Sequence, residues 1–293
     1  MVITHPEKVL FPDDGITKSD LAAYYEMIAP VMLPHILRRP VTMERFPAGI
    51  SKKGFLQKNV ATGFPEWLQR VEIPKKDGVV HHPIVTDTRS LLWLVNQNTI
   101  TPHVWTSRAP DVYHPDICVF DLDPSVDDAG MLIAAALRIR ELLDELGLPS
   151  WIKTSGSKGF HIVVPLDGKT NMGDVDRFAH AVGALLVRQD PKNLTQEFHK
   201  VDRGRRIFVD TGRNGWSATH AAPYAVRAKH GAPISAPCTW EELESGGVGP
   251  RTFTLRNMAA RIKDVGDLWS GMRRRRRSLD RPLLKLRKVV GAG

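Results

Sequence analysis

Residues Ile117 to Ser125 read Ile-Cys-Val-Phe-Asp-Leu-Asp-Pro-Ser, an apolar run that ends in two carboxylates one residue apart. Side chains alternate across a strand, so Asp121 and Asp123 leave on the same face. Two carboxylates held together repel unless a cation sits between them. Mg²⁺ and Mn²⁺, which prefer oxygen ligands, suit that place. A divalent ion so held usually handles phosphate. Taken alone, the pair reads equally well as an Asp-Pro turn leaving a core strand.

Other residues with phosphate chemistry follow. The turn Ser155-Gly-Ser-Lys-Gly159 offers backbone N–H groups, two hydroxyls and the Lys158 ammonium. It is not a P-loop, because Gly-x-x-x-x-Gly-Lys-Ser/Thr is absent. His161 lies just beyond it and is a further donor to a triphosphate oxygen. Arg203, Arg205, Arg206, Arg213 and Arg227 bracket a third aspartate, Asp210, and guanidinium forks match phosphate oxygens. Lys8 and Lys18 flank a turn containing Pro and Asp, where a lysine pair suits a terminal phosphate. On composition alone, solvated turns and scattered surface charge explain these residues too.

The elements needed to position them are legible in the central third. Ile117–Leu122 reads as a strand, and Ser125 as the N-cap of a helix running to Leu146, stopped by Gly147 and Pro149. Trp151–Thr154 and Phe160–Pro165 read as strands. Val175, Phe178, Ala179, Val182, Leu185 and Leu186 recur at helical spacing. Arg206–Asp210 is a last strand. The order β-α-β-β-α-β is the split βαβ unit of ferredoxin-like folds. In that topology the first and last strands are antiparallel neighbours, so Asp210 can lie across from the Asp pair. Parity puts His161 on the same face and turns Cys118, Phe120, Leu122, Ile207 and Val209 toward the helices. Three aspartates with two ions about 3.5–4 Å apart would make a clamp for phosphoryl or nucleotidyl transfer.

Elsewhere the pattern is weaker. A helix capped by Thr17 or Ser19 is expected to reach about Ala29, with Pro30 and Pro34 ending or bending it. Val41–Phe46 and Val79–Val85 read as strands. Helices are expected near Thr239 and over 255–263. The expected organisation is one domain over 1–272, with an N-terminal mixed α/β lobe over 1–110, a catalytic core over 111–230 and a packing segment over 231–272. A basic tail over 273–293 is expected to be disordered, with nonspecific DNA affinity through Arg273–Arg277. The fold class is therefore α/β (α+β), with an RRM- or ferredoxin-like core.

At 293 residues the chain can bury a substantial core. The net charge of +9 favours a polyanionic partner. No apolar run is long enough to span a bilayer, and no apolar signal segment opens the chain. Cys118 and Cys238 are the only cysteines, so neither a disulfide framework nor a structural zinc site is suggested. A reducing cytoplasm is the expected location, and a monomer the expected state.

Together the motifs resemble a family. The chain is similar to the primase-polymerase domain of bacterial ligase D, in the archaeo-eukaryotic primase superfamily, and to the stand-alone, ligase C-associated members of that group. The resemblance runs from Thr4-His-Pro-Glu-Lys-Val-Leu-Phe-Pro12 through Phe-Asp-Leu-Asp-Pro124, Thr-Ser-Gly-Ser-Lys-Gly-Phe-His161 and Ile-Phe-Val-Asp210. It continues to Ala-Pro-Tyr-Ala-Val-Arg227 and Thr-Leu-Arg-Asn-Met258. It implies a template-directed nucleotidyltransferase that extends DNA ends or fills short gaps in break repair. The same resemblance implies a preference for ribonucleotides and two Mn²⁺ or Mg²⁺ ions on Asp121, Asp123 and Asp210. Ser155, Lys158, His161, Arg203 and Arg227 would hold the incoming NTP or dNTP. Lys8 and Lys18 would grip the 5′-phosphate of a downstream DNA strand, Phe55 would stack on a base, and His103 would lie near the primer or nucleotide. A DNA ligase and a Ku-type end-binding protein are the implied partners.

Two positions depart from the family pattern. Phe55-Leu56 stands where two aromatics are common, and Arg213 stands where a glutamine is expected after the third aspartate, a change that bears on nucleotide contacts. Three other readings compete. A phosphatase with an Asp-x-Asp nucleophile would require a parallel α/β sheet. Lys75-Lys-Asp-Gly78 fits a ligase adenylation pattern but also a hairpin turn. A noncatalytic DNA-end-binding module would use the same basic surface.

Overall fold

The computed structural model describes residues 1–291. The chain divides into two compact units. One comprises Met1–Asp111, Thr219–Ala236 and Arg251–Asp267, and the other comprises Val112–Ala218, Pro237–Pro250 and the C-terminal segment from Leu268. Residues 219–236 and 251–267 pack with the N-terminal residues.

In the N-terminal unit the helix Lys18–Ile36 starts at a capping box in which Thr17 and Asp20 satisfy each other's backbone N–H. It continues through Pro30 and Pro34 rather than ending there. Leu21, Tyr25, Ile28, Met32 and Ile36 are fully buried along it, and that burial offsets the lost backbone hydrogen bonds. Tyr25 Oη donates to Ile100 O at 2.6 Å and accepts from Val226 N at 3.1 Å. A four-stranded antiparallel sheet has the order His220–Ala221, Thr99–Val104, Val41–Arg45, Phe55–Gln57. A separate hairpin pairs Arg70–Lys75 with Gly78–Pro83. Lys75 pairs directly with Gly78, so the Lys-Lys-Asp-Gly sequence is a two-residue turn with its charges exposed.

His82 on that hairpin is buried beside Trp105. Burial depresses its pKa to about 4, against a partial rescue by its hydrogen bond to Val41 O. The folded state therefore takes up this proton later than the unfolded chain does as pH falls. The stability contribution is complete above the unfolded pKa near 6.5. It declines as pH falls from there toward 4. Between pH 7 and pH 5 this one group should remove about 2 kcal/mol of stability. Urea unfolding at both pH values checks it, and His82→Gln should flatten the slope by that amount.

The second unit holds the split βαβ core. Its strands are β1 (Ile117–Pro124), β2 (Trp151–Thr154), β3 (Phe160–Pro165), β4 (Leu194–Thr195), β5 (Ile207–Asp210) and β6 (Pro237–Cys238). They form one sheet in the order β4-β5-β1-β3-β2-β6. The middle four give the ferredoxin-like order with every neighbouring pair antiparallel. An antiparallel core excludes the parallel phosphatase fold. Helices α1 (Ala129–Leu146) and α2 (Met172–Gln189) cover one face. Cys118, Phe120, Leu122, Phe160, Ile162, Val164, Ile207 and Val209 are buried, alternating along their strands as parity requires. The α1 N-cap is Asp128, accepting from Met131 N, and not Ser125. Gly147, at φ 81°, ends the helix.

The opposite face is only half open. Ile117, Val119 and Val163 are covered by Trp269 and Met272, with Trp151 and Leu268 packed alongside. The arginine run that follows is ordered, which corrects the expectation of a disordered tail. Met272–Arg275 form a 3₁₀ turn. Arg277 N donates to Pro165 O at 3.1 Å, and Arg277 O accepts from Asp167 N. Helix α3 (Asp280–Gly291) then packs on α1 and α2 through Leu279 and Leu286. Backbone pairing to β3 fixes the run in place while its side chains stay solvated.

Candidate active site

Register brings the chemistry together on the uncovered half of that face. Asp210 pairs with Asp121, Asp121 with His161, and His161 with Lys153. Directly opposed residues share a face in antiparallel strands. One row therefore crosses four strands as Asp210, Asp121, His161, Lys153. Asp123 lies in the next row, opposite Phe208.

Past the end of β5 the ladder needs another partner for β1. Asn214 supplies it: Val119 N donates to Asn214 Oδ1 at 2.8 Å, and Asn214 Nδ2 donates to Val119 O at 2.7 Å. This fully buried amide acts as a substitute strand and fixes the turn carrying Arg213.

Arg213 bridges two carboxylates. Its Nη2 lies 3.0 Å from Asp121 Oδ2 and 3.0 Å from Asp210 Oδ2, and its Nε donates to Asp121 Oδ2 at 3.1 Å. Burial pushes Asp121 above the usual carboxylate range; Arg213 opposes the shift, and the charge on Asp210 adds to it. Burial works against the Arg213 charge, yet Asp121 and Asp210 outweigh it and hold the guanidinium firmly protonated. Arg203, only 5% exposed, donates to Asp123 Oδ2 at 2.9 Å and lies over the Phe208 ring at 4.0 Å. Its remaining donors reach Glu197 O and Phe198 O.

His161 sits 3.4 Å from Asp121 Oδ1 through Nε2, and its Nδ1 is 2.9 Å from Lys153 Nζ. An ammonium only donates, so Nδ1 accepts and the ring hydrogen sits on Nε2, facing the carboxylate. Lys153 was missed by sequence reasoning. Its signal was parity: a cation in the apolar run Trp-Ile-Lys-Thr, on the same face as His161.

The Ser155–Gly159 turn is pressed against β1. A Cβ on Gly159 would lie 1.7 Å from Leu122 O, between the two aspartates. Ser155 Oγ accepts from the backbone N–H groups of Ser157 and Gly159, both at 3.1 Å. Ser155 thus shapes the turn, while Lys158 is exposed at its tip. Arg205 is exposed, and Arg206 donates to Arg203 O and Asp202 O.

Whether these residues suit a divalent ion turns on the Arg213 Nη2 atom. Two carboxylate oxygens converge on that one cationic point, in a pocket where burial and repulsion both demand positive charge. The donor set is all oxygen, as Mg²⁺ or Mn²⁺ prefers. Among the described residues no group of three or more His, Cys, Asp or Glu side chains is placed to hold a metal ion. Asp123 is turned to Arg203, and Arg213 fills the space between the other two. The oxygen donors are of the kind such an ion takes, and seating one there would require Arg213 and Arg203 to leave the carboxylates.

The remaining expected residues lie in the N-terminal unit. His103 pairs with Glu44 at 3.1 Å, and Arg227 acts electrostatically on the same carboxylate. Phe55 is 47% exposed on an edge strand, with the Arg45 guanidinium 5.4 Å from its ring centroid. Lys8 and Lys18 are brought together by the backbone bond from Lys18 N to Lys8 O. Lys18 Nζ donates to Thr4 O at 2.7 Å and Thr4 Oγ1 at 3.2 Å. Burial, then the neighbouring Lys8, pulls its pKa below the ordinary lysine range.

Among the described residues no helix is long and apolar enough to cross a membrane. Residues 17–269 match the family model described as LigD, primase-polymerase domain. The chain is 34% identical over 269 residues to the multifunctional non-homologous end joining protein LigD of Mycolicibacterium smegmatis, covering 91% of this chain and 35% of that protein. It is also 34% identical to LigD of Pseudomonas aeruginosa over 283 residues, covering 92% of this chain and 32% of that one. The chain thus spans about a third of these relatives. The polymerase domain of Mycobacterium tuberculosis ligase D, solved in complex with DNA, superimposes with a TM-score of 0.89. It is 32% identical, over 94% of this chain and 99% of that structure. This chain belongs to the LigD primase-polymerase domain family and is a DNA-directed nucleotidyltransferase.

Proposed function

We propose that this chain extends DNA ends and fills short gaps during double-strand break repair, preferring ribonucleotides and using two divalent ions. The observation that carries the reading is the convergence of Asp121 and Asp210 on one cationic point. Around it the formal charges of Asp121, Asp123 and Asp210 are matched by Arg203, Arg213 and Lys153. A nucleoside triphosphate arriving with a pair of divalent ions adds almost no net charge, so the balanced site accepts it without a new electrostatic penalty.

When bound, the ions would ease deprotonation of the attacking hydroxyl and neutralise the leaving pyrophosphate. The protein's own groups do the positioning. Asp121, Asp123 and Asp210 are the oxygen ligands, and His161 points its Nε2 hydrogen into the site under the control of Lys153. Arg203, once Asp123 turns to an ion, has a donor for phosphate. Arg213, displaced from the carboxylates, has two. Lys158 at the turn tip supplies a further charge, and Ser155 holds the backbone amides in place. In the N-terminal unit, His103 and Arg227 are proposed nucleotide contacts, and Phe55 offers an exposed face for a base.

Lys8 and Lys18 are proposed to hold a downstream 5′-phosphate. Two ammonium groups are held together while the Lys18 pKa is depressed, which is the state an arriving dianion relieves. Lys18 commits two donors to Thr4 and keeps a third. The double variant Lys8→Ala, Lys18→Ala should lose the preference for gapped DNA bearing a 5′-phosphate. Equal discrimination between phosphate and hydroxyl ends before and after mutation would argue against the site.

The proposed setting is the bacterial cytoplasm, with a monomer acting beside a DNA ligase and a Ku-type end-binding protein. Extension assays on gapped DNA with each nucleotide type, in Mg²⁺ and in Mn²⁺, test the reading. Faster ribonucleotide addition supports it, and no metal-dependent addition of either type overturns it.

A further inference from the structure

A cleft of about 550 Å³ in the second unit shares no lining residue with the carboxylate row. Its walls are the indoles of Trp151 and Trp240 and the guanidinium groups of Arg140, Arg274 and Arg275, with Ser150 between them. We propose that this cleft is a second nucleic-acid site, which takes one unstacked nucleotide of a single strand and its flanking phosphates.

The charges set the sign of the ligand. Arg140 is already neutralised by Glu244 at 2.5 Å and Asp144 at 3.9 Å, and it lies over the Trp240 ring. Arg274 and Arg275 are exposed, and their side chains have no ion pair or hydrogen bond among the described residues. The fold nevertheless fixes their backbone. The 3₁₀ turn Met272–Arg275 is anchored by buried Met272 on one side and by the Arg277–Pro165 backbone bond on the other. Two unneutralised guanidinium groups on a turn whose backbone is already ordered form an anion site.

The remaining walls favour a nucleotide over a bare anion. Trp151, half-buried against the core, and the largely buried Trp240 give the cleft an apolar share beside its arginines. Trp240 is oriented by its own bond from Nε1 to Ser150 O at 3.0 Å. Ser150 Oγ is buried without a hydrogen-bond partner, leaving one polar group for a base or sugar edge. The volume falls within the range of small-ligand sites, roughly 300–1,000 Å³, and is too small for a duplex. Trp151 lies two residues along β2 from Lys153 on the same face, about 7 Å away. An acidic peptide would use the arginines but leave the indole walls unmatched.

The test measures binding of a labelled 12-mer of thymidine without a 5′-phosphate, by anisotropy across a salt series. Arg274→Glu with Arg275→Glu should weaken binding at least fivefold and reduce the salt slope by about 1.4, the amount for two single-strand phosphate contacts. A matched control, Lys169→Glu with Lys192→Glu, changes the same charge at two exposed positions and should stay within twofold. Should the glutamate pair prove unstable on melting, Arg274→Gln with Arg275→Gln replaces it, with the same direction expected. Equal losses in both pairs would reduce the effect to overall charge and overturn the proposal. Undiminished binding in the arginine variant overturns it as well. Wild-type protein should also prefer the 12-mer to an abasic strand of equal charge. Indifference between the two, or equal displacement by polyglutamate, would make this an acidic-peptide surface instead. Because the probe needs neither nucleotide nor metal, its failure would leave the polymerase reading intact.

Discussion

Asp121→Asn should reduce nucleotide addition by about 10³-fold or more, on the scale of losing a principal electrostatic group from an active site, while leaving the fold as stable as before or slightly more so. The two halves of that expectation have separate causes. Chemically, an amide in the centre of the carboxylate row removes one of the proposed anionic oxygen ligands. Energetically, Asp121 already sits above the usual carboxylate range because burial and Asp210 disfavour its charge. A group whose folded pKa is raised destabilises the folded state while ionised, so the neutral isostere relieves that penalty at neutral pH. Asp123→Asn should abolish addition as well, but with a stability loss of about 1–3 kcal/mol. It takes the charged acceptor from Arg203, which is nearly buried and keeps only carbonyl partners and the Phe208 ring. DNA binding should survive in both. Paired activity and urea-unfolding measurements check this, and an active Asp121→Asn protein would remove the catalytic assignment.

Gly159→Ala should be the most damaging single-methyl change. The new Cβ would stand 1.7 Å from Leu122 O, 2.9 Å from Leu122 C and 3.2 Å from Pro124 Cδ. All three atoms belong to a central strand that cannot flex as a side chain would. Either the Ser155–Gly159 turn lifts, breaking its bonds between Ser155 and Gly159, or β1 moves with Asp121 and Asp123 on it. Overpacking of this kind costs about 1–3 kcal/mol. A displacement near 1 Å at reacting groups is enough for about 100-fold in rate. Lys158→Ala, in contrast, keeps the turn and removes only an exposed charge, so it should raise KM more than it lowers kcat. Wild-type turnover in Gly159→Ala would show that the close approach of turn and strand has no part in the chemistry.

The core was legible because its signals are local. Alternation along Ile117–Asp123 and helical spacing over Val175–Leu186 each select one buried face, and the topology then makes β1 and β5 neighbours. Once both strands bury their apolar sets, Asp210 meets Asp121 without a further assumption. The N-terminal unit was less legible because it is completed by 219–236 and 251–267, segments with no local mark of where they pack. Helix Thr88–Asn96, capped by Asp87, and strand Thr99–Val104 were overlooked. Pro30 and Pro34 pointed to a helix end that burial along the helix overrides. Lys153 and Asn214 look ordinary in sequence. Each acquires its role from a strand partner, His161 in one case and Val119 in the other. The arginine run read as a solvated tail because side-chain charge says nothing of a backbone paired to β3.

The most direct measurement is anomalous diffraction from crystals soaked in Mn²⁺ with a non-hydrolysable ribonucleoside triphosphate. Two manganese peaks should appear among Asp121, Asp123 and Asp210, with the Arg213 guanidinium moved off the carboxylates and onto the triphosphate. Arg213 still bridging Asp121 and Asp210, with no manganese beside them, would contradict the two-ion site.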